Sequence, residues 1–280
     1  MMTWRLIRSG KCSPEMNMAV DEAILTAQGE GRVPPTLRFY GWDPPTLSIG
    51  YFQKAAEEVE FAALRRLGIG FVRRPTGGRA VLHDRELTYS MIVSENYPGM
   101  PRSVTEAYRM LSEGLVQGFR LLGLQAEMVQ LSSEEDKLKY ASAGSAACFD
   151  SPSWYELVVE GRKVAGSAQM RQKSAILQHG SILLDLDADL LFELLRFPNE
   201  RVKERLRKSF DGKAVAINEL RRARNMPPVA PAEAEEAFRL GIARGLGIEL
   251  EESSLTPYEE RLARQLASDK YGSNEWNLRR

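Results

Sequence analysis

Cys148 and Lys163 are the residues best equipped for covalent chemistry. A thiolate attacks thioesters readily, and a nearby cation lowers a thiol's pKa so that more of it is ionised. Cys148 opens the run Cys148-Phe149-Asp150-Ser151-Pro152-Ser153-Trp154-Tyr155-Glu156-Leu157. Lys163 follows in Gly161-Arg162-Lys163-Val164-Ala165-Gly166-Ser167-Ala168-Gln169. Strand periodicity puts Lys163, Ala165, Ser167 and Gln169 on one face. The small Ala165 and Ser167 beside the lysine then leave room for an acyl chain. Taken singly, both residues also fit plainer accounts: a buried structural thiol and a hairpin lysine in solvent. A third segment is Arg73-Arg74-Pro75-Thr76-Gly77-Gly78-Arg79-Ala80-Val81-Leu82-His83-Asp84. Adjacent glycines let the backbone take positive φ and approach a ligand, with exposed N–H groups facing an anion or carbonyl. A tight turn with a solvated basic rim is the plainer alternative, and no Gly-Lys-Ser/Thr follows to make a Walker loop.

The elements that must position these residues are partly signalled. A first helix starts after Ser13, with Pro14 at its first position and an apolar stripe through Met16, Ala19, Val20, Ala23, Ile24 and Ala27. Strand-like runs at Thr36–Tyr40 and Thr46–Tyr51 are split by a turn, and a helix near Glu57–Leu67 stops at Gly68. Phe71–Arg74 and Leu87–Val93 read as strands around the glycine loop. Ser103 and Glu106 fit a capping box for a helix ending at Gly123. Residues 131–147 are small and polar, a loop leading to Cys148. Trp154–Val159 and Lys163–Ala168 predict a hairpin, and Ala175–Leu184 a further strand. Beyond Asp185 the pattern turns helical. Pro227, Pro228 and Pro231 mark a linker before helices at about 232–245 and 257–270. Mixed helices and strands, without regular βαβ alternation, predict an α+β domain with a mixed or antiparallel sheet. The expected organisation is a catalytic domain over residues 1–225 and a helical appendage over residues 232–280 packed on it.

Bulk properties exclude little. The 280 residues are 43% hydrophobic and 27% charged, with zero formal net charge, so no global field draws nucleic acid or membrane. No apolar run reaches the roughly 20 residues of a membrane span. The first residues lack the apolar core of a secretion signal, which points to the cytoplasm. There a free thiol is the expected state of both cysteines, with Cys12 packed near the first helix start.

RRPTGGRAVLHDRELTYS resembles the signature loop of the lipoate–protein ligase and lipoyl/octanoyl transferase superfamily. GRKVAGSAQMRQKSAILQHGSILLD is similar to its lysine-bearing strand and the strand after it. With the opening helix and the Thr46–Tyr51 strand, the likeness spans about residues 1–200. It implies a mixed β-sheet flanked by helices, like the catalytic domain of biotin and lipoate synthetases. Ligases of this superfamily activate free lipoate with ATP. One transferase branch carries a nucleophilic cysteine just before a Ser-x-Tyr-Glu-Leu strand, as Cys148 precedes Ser153–Leu157 here. The resemblance therefore implies that Cys148 takes octanoyl from acyl carrier protein as a thioester. A lysine of a lipoyl domain or of the glycine cleavage system H protein then receives it, with no cofactor. A related amidotransferase, an ATP-dependent ligase and a silent acyl-binding module are the alternatives. In the implied site Lys163 polarises the acyl carbonyl. Arg74, Thr76, Gly77, Gly78 and Arg79 order the acyl tunnel, with Ala165, Gly166, Ser167, His179 and Gly180 lining it. His83 fits a hydrogen-bonding role there better than that of a general base.

From Arg196 to Arg224, ten basic residues face four acidic ones, including Arg201, Lys203, Arg205, Arg207 and Lys208 on one short helix. An ordinary solvated helix explains this, and so does a docking face for an acidic carrier protein. Nucleic acid is not expected, because no aromatic residues interleave to stack bases.

Overall fold

The computed structural model of the chain describes residues 2–130 and 155–279. The chain opens with β1 (Met2–Cys12), α1 (Pro14–Gly29), β2 (Thr36–Trp42) and β3 (Thr46–Ile49). Two short helices, α2 (Ala55–Glu58) and α3 (Phe61–Leu67), precede β4 (Gly70–Arg73), β5 (Val81–His83) and β6 (Glu86–Ser94). Then come α4 (Val104–Leu121) and β7 (Ala126–Gln130), followed by β8 (Tyr155–Val159), β9 (Arg162–Gln172) and β10 (Ala175–Leu183). The remainder comprises α5 (Ala188–Glu193), α6 (Glu200–Asp211), α7 (Ile217–Ala223), α8 (Pro231–Leu246), β11 (Ile248–Glu252), α9 (Pro257–Leu266) and α10 (Asn274–Asn277).

Among the described residues, eight strands form one sheet in the order β11-β1-β2-β6-β10-β9-β8-β7. The first two pairings are parallel and the others antiparallel, so the sheet is mixed. A small sheet, β4-β3-β5, sits beside it. Helices cover both faces of the large sheet. On one side α4 packs Leu111, Leu115 and Phe119 onto strand residues, and Phe238 and Ile242 of α8 close over them. Phe119 and Phe238 meet edge to face at 4.9 Å, a contact worth about 0.5–1.5 kcal/mol beyond its buried area. On the other side α1 buries Met18, Ala19, Ala23 and Ile24, with Ala263 of α9 and Tyr271 beyond it.

The local chemistry explains most boundaries. Pro14 leads α1, and the Ser103 hydroxyl accepts from the Glu106 N–H to start α4. Gly68, at φ 66°, ends α3. Glu160 and Gly161 both take positive φ, the two-residue turn that joins β8 to β9. Four strands escape the sequence signals: β1, β5, β7 and β11. The buried stretch of β1 is the continuous run Trp4–Ile7, not an alternation. The sequence of β11 is Ile-Glu-Leu-Glu-Glu, poor strand material that survives as an exposed edge. Through β11, which pairs with β1, and α8, which lies on α4, the C-terminal residues complete the sheet and its cover.

Candidate active site

The glycine loop between β4 and β5 closes one wall of a cleft against β9, β10 and α1. Gly50 and Gly78 touch backbone to backbone: a Cβ on Gly50 would lie 2.0 Å from the Gly78 carbonyl oxygen, and Gly78 itself has φ +96°. No other residue type fits that contact. The Arg74 guanidinium braces the loop from inside, donating to the Ser48 hydroxyl (2.7 Å) and to the carbonyls of Gly77 (3.2 Å) and Arg79 (2.9 Å). Arg73, fully buried, donates to the carbonyls of Gly50, Tyr51 and Gln53 on one side and of Asn277 and Arg279 on the other. It thereby ties the C-terminal turn to the loop that carries Gly50.

The wall opposite rests on a charged centre inside the protein. Asp21 of α1 is wholly buried. Its carboxylate accepts from Arg38 (2.8 Å), Tyr40 (2.9 Å) and Ser90 (2.8 Å), and lies 3.3 Å from His179 Nδ1. Burial opposes its ionisation, but Arg38 and His179 outweigh burial and hold the carboxyl below its ordinary value. His179 Nε2 in turn meets the Thr76 hydroxyl at 2.7 Å. One helix residue is thus linked through His179 to the glycine loop. Gly180 is a close approach of β10 to β9, since a Cβ there would lie 2.4 Å from the Gly166 carbonyl oxygen.

Lys163 departs from the expected geometry. Its Nζ lies 2.8 Å from Glu156 Oε2, with side chains only 5% and 1% exposed. A register shift in the β8–β9 pairing sets Lys163 opposite Val158 while Ala165 faces Leu157. The bulge turns Lys163 away from the face of Ala165, which packs with Val164 and Leu157 in the main core. Lys163 instead shares the face of Glu156, Gly166 and Ala168. Strict alternation from Lys163 to Gln169 therefore fails, because a one-residue bulge inverts the face.

The empty space in and around the cleft, its open mouth included, is about 400 Å³. The cleft is predominantly apolar. Arg74, Gly78, His83, Gly166, Ser167, His179 and Gly180 all line it. Thr76 stands behind His179, Ala165 lies in the core, and Arg79 turns outward to Glu58 at 3.7 Å. Gly77 adjoins exposed Phe52. His83 stacks on Trp42 with ring centroids 4.2 Å apart and meets the Ser48 hydroxyl at 2.7 Å. Burial pushes the His83 pKa down, with Glu86 working against it. Cys148 and the polar stretch 131–147 lie outside the described residues. On the basic helix α6, Arg207 already bridges Asp189 and Asp211, whereas Arg201, Arg205 and Lys208 are exposed.

Sequence reasoning passed over Asp21, Arg38, Tyr40 and Trp42. The available signal was the pair Asp21-Glu22 inside the apolar stripe of α1, since charged residues are buried there only with partners. Trp42 closes a turn-rich segment, where nothing local marks it as lining a cleft.

A family model described as the lipoyl protein ligase A/B catalytic domain matches residues 13–239. The chain belongs to that family. An octanoyltransferase LipM from Brevibacillus brevis is 63% identical over 280 residues, covering the whole of both chains. The LipM of Bacillus subtilis is 57% identical over 278 residues, 99% of each. Relatives of this kind along the full length make the chain an enzyme of the transferase class within the lipoate–protein ligase superfamily. Solved structures agree on the fold. A chain of the Thermoplasma acidophilum lipoylation system, comprising a bipartite lipoate protein ligase and its E2 lipoyl domain, matches with a TM-score of 0.81 at 30% identity. That match covers 99% of this chain and 97% of that one. A lipoate-protein ligase A bound with ATP gives 0.77 at 29% identity, covering 99% and 98%. The expected mixed sheet flanked by helices is the fold observed. Among the described residues no helix is long and apolar enough to cross a membrane.

Proposed function

We propose that this enzyme transfers octanoyl from octanoyl-acyl carrier protein to a lysine of a lipoyl domain or of the glycine cleavage system H protein. Cys148 carries the group in between. In the first step the Cys148 thiolate bonds to the acyl carbon, and the carrier's thiol leaves and takes up a proton. In the second the acceptor amine bonds to that carbon, giving up a proton, and the Cys148 thiol is released. Exchange of a thioester for an amide runs downhill and needs no ATP. The reaction belongs in the cytoplasm, where carrier protein and free thiols coexist.

One observation carries this reading: an apolar cleft floored by the strand that also holds a buried ammonium, Lys163, paired with Glu156. An acyl chain supplies the apolar match, and its carbonyl is the group that a fixed cation stabilises as negative charge develops on the oxygen. The full-length likeness to octanoyltransferases supports the octanoyl group. His83 is suited to bracing the loop through Ser48 and Arg74.

Intact-mass measurement after mixing the enzyme with octanoyl-acyl carrier protein, without ATP or magnesium, tests the proposal. One octanoyl group should be added, removable by neutral hydroxylamine and absent from Cys148→Ser. Labelling that persists in Cys148→Ala, or octanoylation only from free octanoate and ATP, would refute it.

A further inference from the structure

Ser181 serves neither the loop bracing nor the charged centre, and its surroundings are unusual. It lies on β10, is 1% exposed, and lines the cleft. Its hydroxyl has no hydrogen-bond partner among the described residues. Buried hydroxyls without partners are rare in folded proteins and call for a reason.

His83 Nδ1 also lacks a hydrogen bond among the described residues, but it faces the Glu86 carboxylate at 3.5 Å; the hydroxyls and the other polar groups around the cleft are engaged. Thr88 accepts from Trp42 and donates to Glu86. Tyr40 donates to Asp21, His179 joins Asp21 to Thr76, Ser167 meets Tyr89, and Arg74 braces the glycine loop. Ser181 alone among these hydroxyls is left over. In register it stands between Thr88 of β6 and Gly166 of β9. Gly166 has no side chain to cover it. Through the bulge in β9, Lys163 shares the face of Gly166, so Lys163 and Ser181 belong to one face of the sheet.

We propose that Ser181 is a substrate-contacting residue: its hydroxyl donates a hydrogen bond to the carbonyl oxygen of the bound acyl group, beside Lys163. This rests on the acyl-transfer reading above. The chemistry selects the atom. A saturated medium-chain acyl group is apolar except at its carbonyl, so this oxygen is the acceptor the chain can bring to a buried hydroxyl. Left without it, the bound acyl group would seal an unpaired donor under hydrocarbon. A hydrogen bond aimed where charge develops strengthens in the transition state, so the effect falls on the rate of transfer more than on the Michaelis constant.

The test measures single-turnover acylation by octanoyl-acyl carrier protein, read as intact mass, alongside thermal unfolding, for the parent, Ser181→Ala and Ser181→Cys. The rate in Ser181→Ala should fall by about 10- to 100-fold, toward the loss expected for one oxyanion-type donor. Its melting temperature should hold or rise, because the unliganded protein loses no bond and sheds an unsatisfied group. Ser181→Cys, a similar shape with a weaker donor, should fall between the two. A structural hydroxyl would move stability and rate together. Acylation of Ser181→Ala within about twofold of the parent would overturn the inference, and so would a rate loss matched by a lower melting temperature or by failure to fold. If the parent itself takes up no octanoyl, the acyl-transfer reading fails first and this inference with it; with an active parent, the outcome bears on Ser181 alone.

Discussion

Neutralising Glu156 while leaving Lys163 in place separates the structural and chemical parts of the site. The pair is 2.8 Å apart, with side chains 5% and 1% exposed. At an effective dielectric constant of about 20, unit charges at that distance attract by roughly 6 kcal/mol. Much of this offsets the cost of taking both ions out of water, so the pair adds modest net stability. Removing one partner is different, because the other buried charge loses its counter-ion. Glu156→Gln is expected to destabilise the protein by about 3–5 kcal/mol, and Lys163→Met by a similar amount. At about 2–4 °C per kcal/mol for a large domain, each single change lowers the melting temperature by roughly 6–20 °C. The double variant removes both charges of the pair. It should therefore recover about 1–3 kcal/mol relative to the sum of the singles, the usual coupling of residues in contact. Activity should not follow. Without the Lys163 ammonium, octanoyl transfer is expected to fall by about two to three orders of magnitude, in the double variant as in Lys163→Met. Urea unfolding and transfer rates on all four proteins give the answer. Additive destabilisation would show that the pair is not coupled, and near-parent activity in the double variant would remove Lys163 from the chemistry.

Two further outcomes follow from the buried network. Asp21→Asn should destabilise the protein at neutral pH. The Asp21 carboxyl is held below its ordinary value of 3.8 in the fold, so its contribution is complete above that value and is lost as pH falls through the lower, folded pKa. The stability gap between parent and Asp21→Asn should therefore narrow on acidification below about pH 4, read from urea midpoints; a gap independent of pH would refute this assignment. Truncation after Ser273 removes the Asn277 and Arg279 carbonyls that receive the Arg73 guanidinium. It should lower transfer by about tenfold or more through a loosened glycine loop, since small misplacements at a site are costly. Unchanged transfer kinetics would make this turn a passive cover.

What the sequence revealed depended on whether the signal was local. The glycine loop, the hairpin at Glu160-Gly161 and the capped helix after Ser103 each rest on a few neighbouring residues whose backbone demands are specific. They were legible for that reason. The strands β1 and β11 were not, because a run of four buried residues and an acidic edge strand acquire meaning only when they pair with each other. The residues lining and supporting the cleft divide in the same way. Those in the two long motifs, several of which line the cleft, were indicated by spacing and resemblance. The groups that support them were not, since Asp21 reaches His179 across 158 positions and Arg73 reaches Asn277 across 204.

The bulge in β9 marks the limit of counting residues along a strand. Alternation holds only in regular pairing, and a single extra residue reverses every face before it. That reversal sets Lys163 beside Glu156 and on the side of Gly166, while Ala165 joins the core. In the proposed reaction the inverted face is what supplies the cation. Without the bulge, Lys163 would project into the apolar layer under α4, where an ammonium would meet Leu157 and Val159 in place of a carboxylate. With it, the cation is paired, buried and on the sheet face that carries Ser181. A one-residue insertion in β8 opposite Val164, which makes the pairing regular and turns Lys163 to the face of Ala165, should therefore abolish transfer even with every side chain of the site retained.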